Sequence, residues 1–223
     1  MTTKHYKAVF LDWDDTIGDW THAEHLALQD IYANFHLQEF YPTFADYKAA
    51  YMTYNLQLWD LYGQGKVTKD YLHYQRFAQP KEEFAHQMGE QFLQLTNKYF
   101  ALLPNADQVV RYLAAKYPLT IISNGFKEVQ YYKFQHSGLQ DCFKHTIISE
   151  EVGVNKPQPG IFQLALELNH LQHDEVIMIG DSYTSDIAGA KAAEIDQIWI
   201  HNEPTDQTAT FIVPNLIDVM NIL

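Results

Sequence analysis

The chain is poor in cysteine and arginine, and it has no long apolar run. Its one cysteine, Cys142, excludes an internal disulfide framework and is compatible with a reducing compartment. The arginines are Arg76 and Arg111 alone, and Lys+Arg total 15 against 28 Asp+Glu, a formal net charge of −13. Such a chain lacks the basic stripe that a nucleic-acid polymer requires, and its charge opposes docking on anionic lipid. No segment approaches the ~20 uninterrupted apolar residues of a membrane span. The short apolar stretch that ends at Asp12 is also below the length of a signal-peptide core. These absences lead to the expectation of a cytoplasmic protein with no membrane attachment and no obligate protein partner. Internal repeats and low-complexity tracts are absent as well.

What is present is a globular composition: 223 residues, 47% hydrophobic and 19% charged. That length fits one large domain, or one domain carrying an insert, with a core that needs no staples. Short apolar runs read as buried strands at Ala8–Leu11, Leu119–Ile122, Thr146–Ile148, Val176–Ile179 and Ile198–Ile200, with a weaker one at Thr210–Val213. Helical patterns lie between them, at about 105–116, 127–136, 158–169, 184–193 and 215–222. Strands alternating with helices predict a parallel α/β sheet covered on both faces. The alternation breaks from Gly18 to Phe100, where no strand is visible and more than half of the chain's aromatic residues gather. This segment reads as a helical insert after the first strand, which gives a core of residues 1–17 and 101–223 around an insert of 18–100.

The polar residues at the strand ends carry the chemistry. The first strand closes in Asp12-Trp13-Asp14-Asp15-Thr16, and Asp12 and Asp14 would share a face if the strand ran straight on. Two carboxylates crowded there are costly unless a cation or a proton sits between them. The alternative is a polar strand end with Asp15 or Thr16 capping the next helix. The fourth strand closes in Gly180-Asp181, in the same topological position as Asp12, and Asp186 follows in the first turn of a small-residue helix. Acids with oxygen donors alone suit a hard cation, Mg²⁺ above all. The pairs His22/His25 and His170/His173 lack a third ligand. Ser123-Asn124-Gly125, after the second strand, reads as an anion cradle or as an ordinary turn. Lys156 lies just before a helix opened by Pro157 or Pro159, where a cation opposes the helix dipole and hints at an anionic partner.

These four motifs in this order resemble the haloacid dehalogenase-like hydrolase superfamily. The resemblance covers about 5–17 and 101–223, and the insert matches the position of that superfamily's α-helical cap. It implies a Rossmann-like sheet of order 5-4-1-2-3. It further implies Asp12 as a nucleophile forming an aspartyl-phosphate, Asp14 as general acid and base, and Ser123, Asn124 and Lys156 as phosphate contacts. Mg²⁺ would be held by Asp12, the Asp14 backbone carbonyl and Asp181, with Asp186 in support. Haloacid dehalogenases lack an acid two residues after the nucleophile, so Asp14 argues for phosphate chemistry.

Residues 122–126 and 147–157 further resemble the branch holding house-cleaning pyrimidine 5′-nucleotidases. Asn55, Trp59 and Arg76 in the insert then become candidate substrate contacts, with helix packing and an internal salt bridge as the competing roles. The expected function is a Mg²⁺-dependent phosphomonoesterase acting on a small phosphomonoester, with a nucleoside 5′-monophosphate as the leading substrate. A sugar-phosphate phosphatase, a phosphomutase and a catalytically silent phosphate-binding protein are the alternatives.

Overall fold

Every residue of the apolar run after Lys7 is buried, and the run forms strand β1 (Ala8–Leu11). The computed structural model describes residues 5–223, so residues 1–4 of the expected core lie outside the described residues. Past β1 the chain turns tightly, the Ile17 and Gly18 amides donating to the Trp13 carbonyl at 2.8 and 2.9 Å. It then enters helices α1 (Trp20–Asn34), α2 (Phe44–Gly63), α3 (Lys69–Gln75) and α4 (Ala85–Lys98). A capping box starts α2: the Thr43 hydroxyl accepts the Asp46 amide at 3.2 Å and the Asp46 carboxylate accepts the Thr43 amide at 3.1 Å. Thr68 starts α3 by accepting the Tyr71 amide at 3.2 Å. The helices close over Leu28, Ile31, Tyr47, Tyr51, Phe77, Met88 and Phe92.

The remaining elements are α5 (Ala106–Ala114), β2 (Leu119–Ser123), α6 (Lys127–Ser137), β3 (Phe143–Ile148), α7 (Ser149–Val152) and α8 (Pro159–Asn169). They continue with β4 (Val176–Gly180), a π-helical turn (Tyr183–Ile187), α9 (Ala188–Ala192), β5 (Asp196–Ile200) and β6 (Phe211–Val213). The chain separates into two compact units, one running through Asp19 and then Ala101–Leu223, the other Trp20–Phe100.

All strand pairs are parallel, in the order β3-β2-β1-β4-β5-β6. The expected order of five strands is present, and the weak run near residue 211 adds a sixth at the edge. Helices cover both faces. On one face Phe10, Ile122, Ile147 and Met178 pack with Ile161, Phe162 and Ala165 of α8 and Ala190 of α9. Alternation along the strands turns Val9, Leu11 and Ile121 to the other face. Each such fully buried side chain contributes roughly 1.5–3 kcal/mol over exposure. Two expected helices take other forms. The pattern at 184–193 begins as the π-turn, and the one at 215–222 is a 3₁₀ helix, Leu216–Asn221. No helix among the described residues is long and apolar enough to cross a membrane.

Candidate active site

The order of the sheet decides which polar residues meet. β1 lies beside β4 with Leu11 opposite Ile179, and the Asp12 amide donates to the Ile179 carbonyl at 2.9 Å. Asp12 and Asp181 therefore leave neighbouring strands at the same edge, the crevice where open parallel sheets bind ligands. Carboxylate oxygens of Asp12, Asp181 and Asp186 all lie within 4.8 Å of one another. Asp181 is steadied from two sides. The Thr16 hydroxyl donates to its Oδ1 at 3.2 Å, and the Trp199 indole N–H donates to its carbonyl at 2.7 Å.

Lys156 is almost fully buried and binds two of these acids: Asp12 through Oδ1, and Asp186 through Oδ1 at 2.7 Å. Burial disfavours its charge, but the carboxylates of Asp12 and Asp186 more than offset that and hold its pKa above the ordinary lysine value. With Lys156 on Oδ1, Oδ2 of Asp12 has no hydrogen-bond donor among the described residues. Asn124 holds the Lys156 segment at two points. Its Nδ2 donates to the Lys156 carbonyl and its Oδ1 accepts the Lys156 amide, both at 2.9 Å. Its side-chain amide thus engages backbone rather than facing an anion, which leaves Ser123 as the side chain of 123–125 that could receive one. The Ser123 hydroxyl accepts the Gly125 amide at 3.1 Å.

Asp186 is fully buried. It accepts from the Ser182 amide on Oδ2 at 3.1 Å and from the Ser185 hydroxyl on Oδ1 at 3.3 Å, besides Lys156. With both oxygens engaged, it suits holding Lys156 and the loop more than direct coordination. The π-turn brings it there: the Asp186 and Ile187 amides both donate to the Ser182 carbonyl, at 2.9 and 3.2 Å. π-turns are rare and concentrate at functional sites. Gly180 makes room, because a Cβ there would lie 2.3 Å from Asp186 Oδ2. Gly180→Ala is therefore expected to push Asp186 off Lys156 and to cost about 1–3 kcal/mol. Denaturant unfolding would measure it, and stability equal to wild type would show that Asp186 yields without strain.

Asp14 lies apart from the three-acid cluster. Its Oδ2 accepts Gln130 Nε2 at 2.7 Å and its Oδ1 accepts Lys133 Nζ. Sequence reading passed over Lys133, Gln130 and Ser182, and considered Thr16 only as a helix cap. On one chain, polar residues of a helix read as solvent-facing, and only their spacing of three, which places them on one side of α6, was visible.

The electrostatics favour a cation. Burial first, then the charges of Asp186, Asp181 and Asp14 against the opposing Lys156, push the Asp12 carboxyl well above the usual range. Burial, with Asp186 and Asp15 adding to it, pushes Asp181 up to about 7. Crowded acids behave so when nothing compensates their charge. The donors are carboxylates, with no His or Cys among them, so the set fits Mg²⁺, which Asp12 and Asp181 would hold with Asp186 behind them.

The three candidates in the helical unit differ. Arg76 is enclosed, with its guanidinium over the Phe92 and Phe77 rings at 4.6 and 5.3 Å and its Nε donating to the His73 carbonyl at 3.3 Å. The alternative foreseen for Arg76 was an internal salt bridge within the insert, and these ring contacts are a role the sequence did not suggest. Trp59 is half-buried, edge-on to Tyr62 with ring centroids 5.8 Å apart. Asn55 is buried, and its Oδ1 has no hydrogen-bond partner among the described residues.

Comparison with known proteins agrees with this geometry. Residues 6–194 match the haloacid dehalogenase-like hydrolases. The HAD-hydrolase YfnB of Bacillus subtilis is 31% identical over 204 residues, 89% of this chain and 85% of YfnB. Its magnesium-bound crystal structure superposes with a TM-score of 0.88 at 28% identity, over 98% of this chain and 99% of that one. The pyrimidine 5′-nucleotidase YjjG of Escherichia coli is 30% identical over 223 residues, covering 96% of each chain. The glyceraldehyde 3-phosphate phosphatase of Pyrococcus abyssi is 33% identical over 198 residues, 86% of this chain and 80% of that one. With sequence and fold matched across nearly its whole length, the chain belongs to the haloacid dehalogenase-like hydrolases.

Proposed function

We propose that the protein is a Mg²⁺-dependent phosphomonoesterase that works through an aspartyl-phosphate, with pyrimidine nucleoside 5′-monophosphates as its preferred substrates. The observation that carries the reading is Asp12, gripped by Lys156 through one oxygen, with a second acid, Asp14, held two residues away by its own donors. A hydrolase that released halide would have no proton to deliver and no use for Asp14.

Asp12 Oδ2 attacks phosphorus in line, and the bond from phosphorus to the ester oxygen breaks. Asp14 delivers a proton to the departing alkoxide. Asp14 then takes a proton from water as that water attacks phosphorus, which releases inorganic phosphate and restores the Asp12 carboxylate. Lys156 keeps Asp12 aimed and balances its charge, and the Ser123 hydroxyl and nearby main-chain N–H groups receive phosphoryl oxygens. A bound Mg²⁺ would neutralise charge on phosphoryl oxygens between Asp12 and Asp181. Such charge neutralisation and positioning supply most of the catalysis in phosphoryl transfer.

The nucleotide preference draws support from YjjG, and a sugar-phosphate reading draws support from the P. abyssi phosphatase. Purified protein is expected to hydrolyse p-nitrophenyl phosphate with Mg²⁺ and to lose that activity in excess EDTA. Absence of turnover there and on a phosphometabolite panel would remove the enzyme reading. On the panel, kcat/KM is expected to be highest for uridine and thymidine 5′-monophosphates. Equal values for purine nucleotides, glyceraldehyde 3-phosphate and 2-phosphoglycolate would defeat the nucleotidase reading and leave the phosphatase.

A further inference from the structure

Helix α6 turns three near-consecutive residues toward the loop that carries Asp14. Phe134 packs edge-on against Trp13, with ring centroids 4.6 Å apart, which anchors the loop backbone. Gln130 and Lys133, 1% and 3% exposed, then reach one oxygen each of the Asp14 carboxylate. Gly125 belongs to the same arrangement: a Cβ there would lie 1.9 Å from Gln130 Nε2, so a larger residue would push the glutamine out of this position. Burying a lysine and a glutamine costs desolvation and side-chain entropy that an apolar helix face would avoid. The packing of Phe134 already docks the helix. The polar pair therefore does something packing does not, and both members converge on a single carboxylate.

We propose that Lys133 and Gln130 are positioning residues, which hold the Asp14 carboxylate at the angle from which it exchanges protons with the leaving group and water. This rests on the acid/base reading of Asp14 given above. They act through Asp14. Trp13 and Phe134 fix the main chain at this point but leave the Asp14 side-chain torsions free, and general acid catalysis needs hydrogen-bond reach. Two donors on two oxygens remove that freedom.

The test uses leaving groups of different basicity. A p-nitrophenolate departs with little help from an acid, whereas the alkoxide of uridine 5′-monophosphate, or of the best alkyl phosphate in the panel, needs a proton. Asp14→Asn is expected to lower kcat/KM for the alkyl ester by ~10²–10⁴-fold and for p-nitrophenyl phosphate by much less. Lys133→Met is expected to show the same asymmetry at roughly 10–100-fold on the alkyl ester, with Gln130→Met in the same direction and Lys133→Arg restoring most of the rate. Adding Lys133→Met to Asp14→Asn is expected to cost nothing further, because both remove one device. Equal losses on the two esters, or additive losses in the double variant, would overturn the positioning role. If Asp14→Asn is asymmetric and neither Lys133→Met nor Gln130→Met is, positioning alone fails. If Asp14→Asn shows no asymmetry, the acid/base reading fails and takes this inference with it. Should Lys133→Met not fold by circular dichroism, Gln130→Met carries the same comparison.

Discussion

Asp12→Asn is expected to abolish turnover, by at least ~10⁴-fold in kcat/KM, while the protein stays folded. An amide oxygen is too weak a nucleophile to take the role proposed for the Asp12 carboxylate. Asp181 and Asp186 are tied to Thr16, Ser182, Ser185 and Lys156. The stability change is expected to have the opposite sign. Burial and the neighbouring acids make the Asp12 charge unfavourable in the metal-free chain, so the neutral isostere is expected to melt at the same temperature as wild type or above it. Lys156 keeps Asp186 as its partner in the variant. Steady-state kinetics with a thermal melt in EDTA checks both halves. Retention of more than a few per cent of wild-type turnover would move the nucleophile elsewhere.

Lys156→Met is expected to damage both function and fold. Methionine keeps much of the volume of lysine but removes the charge between Asp12 and Asp186, which are 7% and 0% exposed. Two buried carboxylates then face each other without a counter-charge, and breaking a buried ion pair from one side costs about 3–5 kcal/mol. That is a large part of the roughly 5–15 kcal/mol that holds a domain together. Catalysis is expected to fall by a further ~10²–10³-fold where protein remains folded, since the cation proposed to aim Asp12 and balance its charge is gone. Urea unfolding in EDTA measures the first effect. Activity at a temperature well below the variant's melt measures the second. Wild-type stability would mean that the acids simply take up protons.

The strands were legible because a parallel sheet covered on both faces demands unbroken apolar runs, and Ala8–Leu11 and Val176–Ile179 are such runs. The acids that end them were legible for the same reason, as polar residues standing where an apolar run stops. Asp12 and Asp181 could thus be placed at the C-terminal ends of their strands from one sequence. A stretch without strands was visible at 18–100, and one compact unit of the structure spans Trp20–Phe100. The short edge strand Phe211–Val213 was faint because an edge strand is half-exposed and its pattern weak.

Other features depended on distance through space. Nothing local marks a π-turn, yet that turn folds Asp186 back onto Lys156 and across Gly180. Nothing local says that the Asn124 amide clasps the Lys156 backbone, or that Arg76 lies over Phe92. Lys133 and Gln130 are polar residues on a helix, and sequence alone treats those as solvated. By itself the sequence determined the fold class, the strand ends that carry the candidate site and the residue types gathered there, because hydrophobic pattern and strand ends are local properties of the chain. The tertiary structure alone decided which donor meets which oxygen, because burial removes water as a partner and each buried charge must then be met by a side chain from a distant part of the sequence.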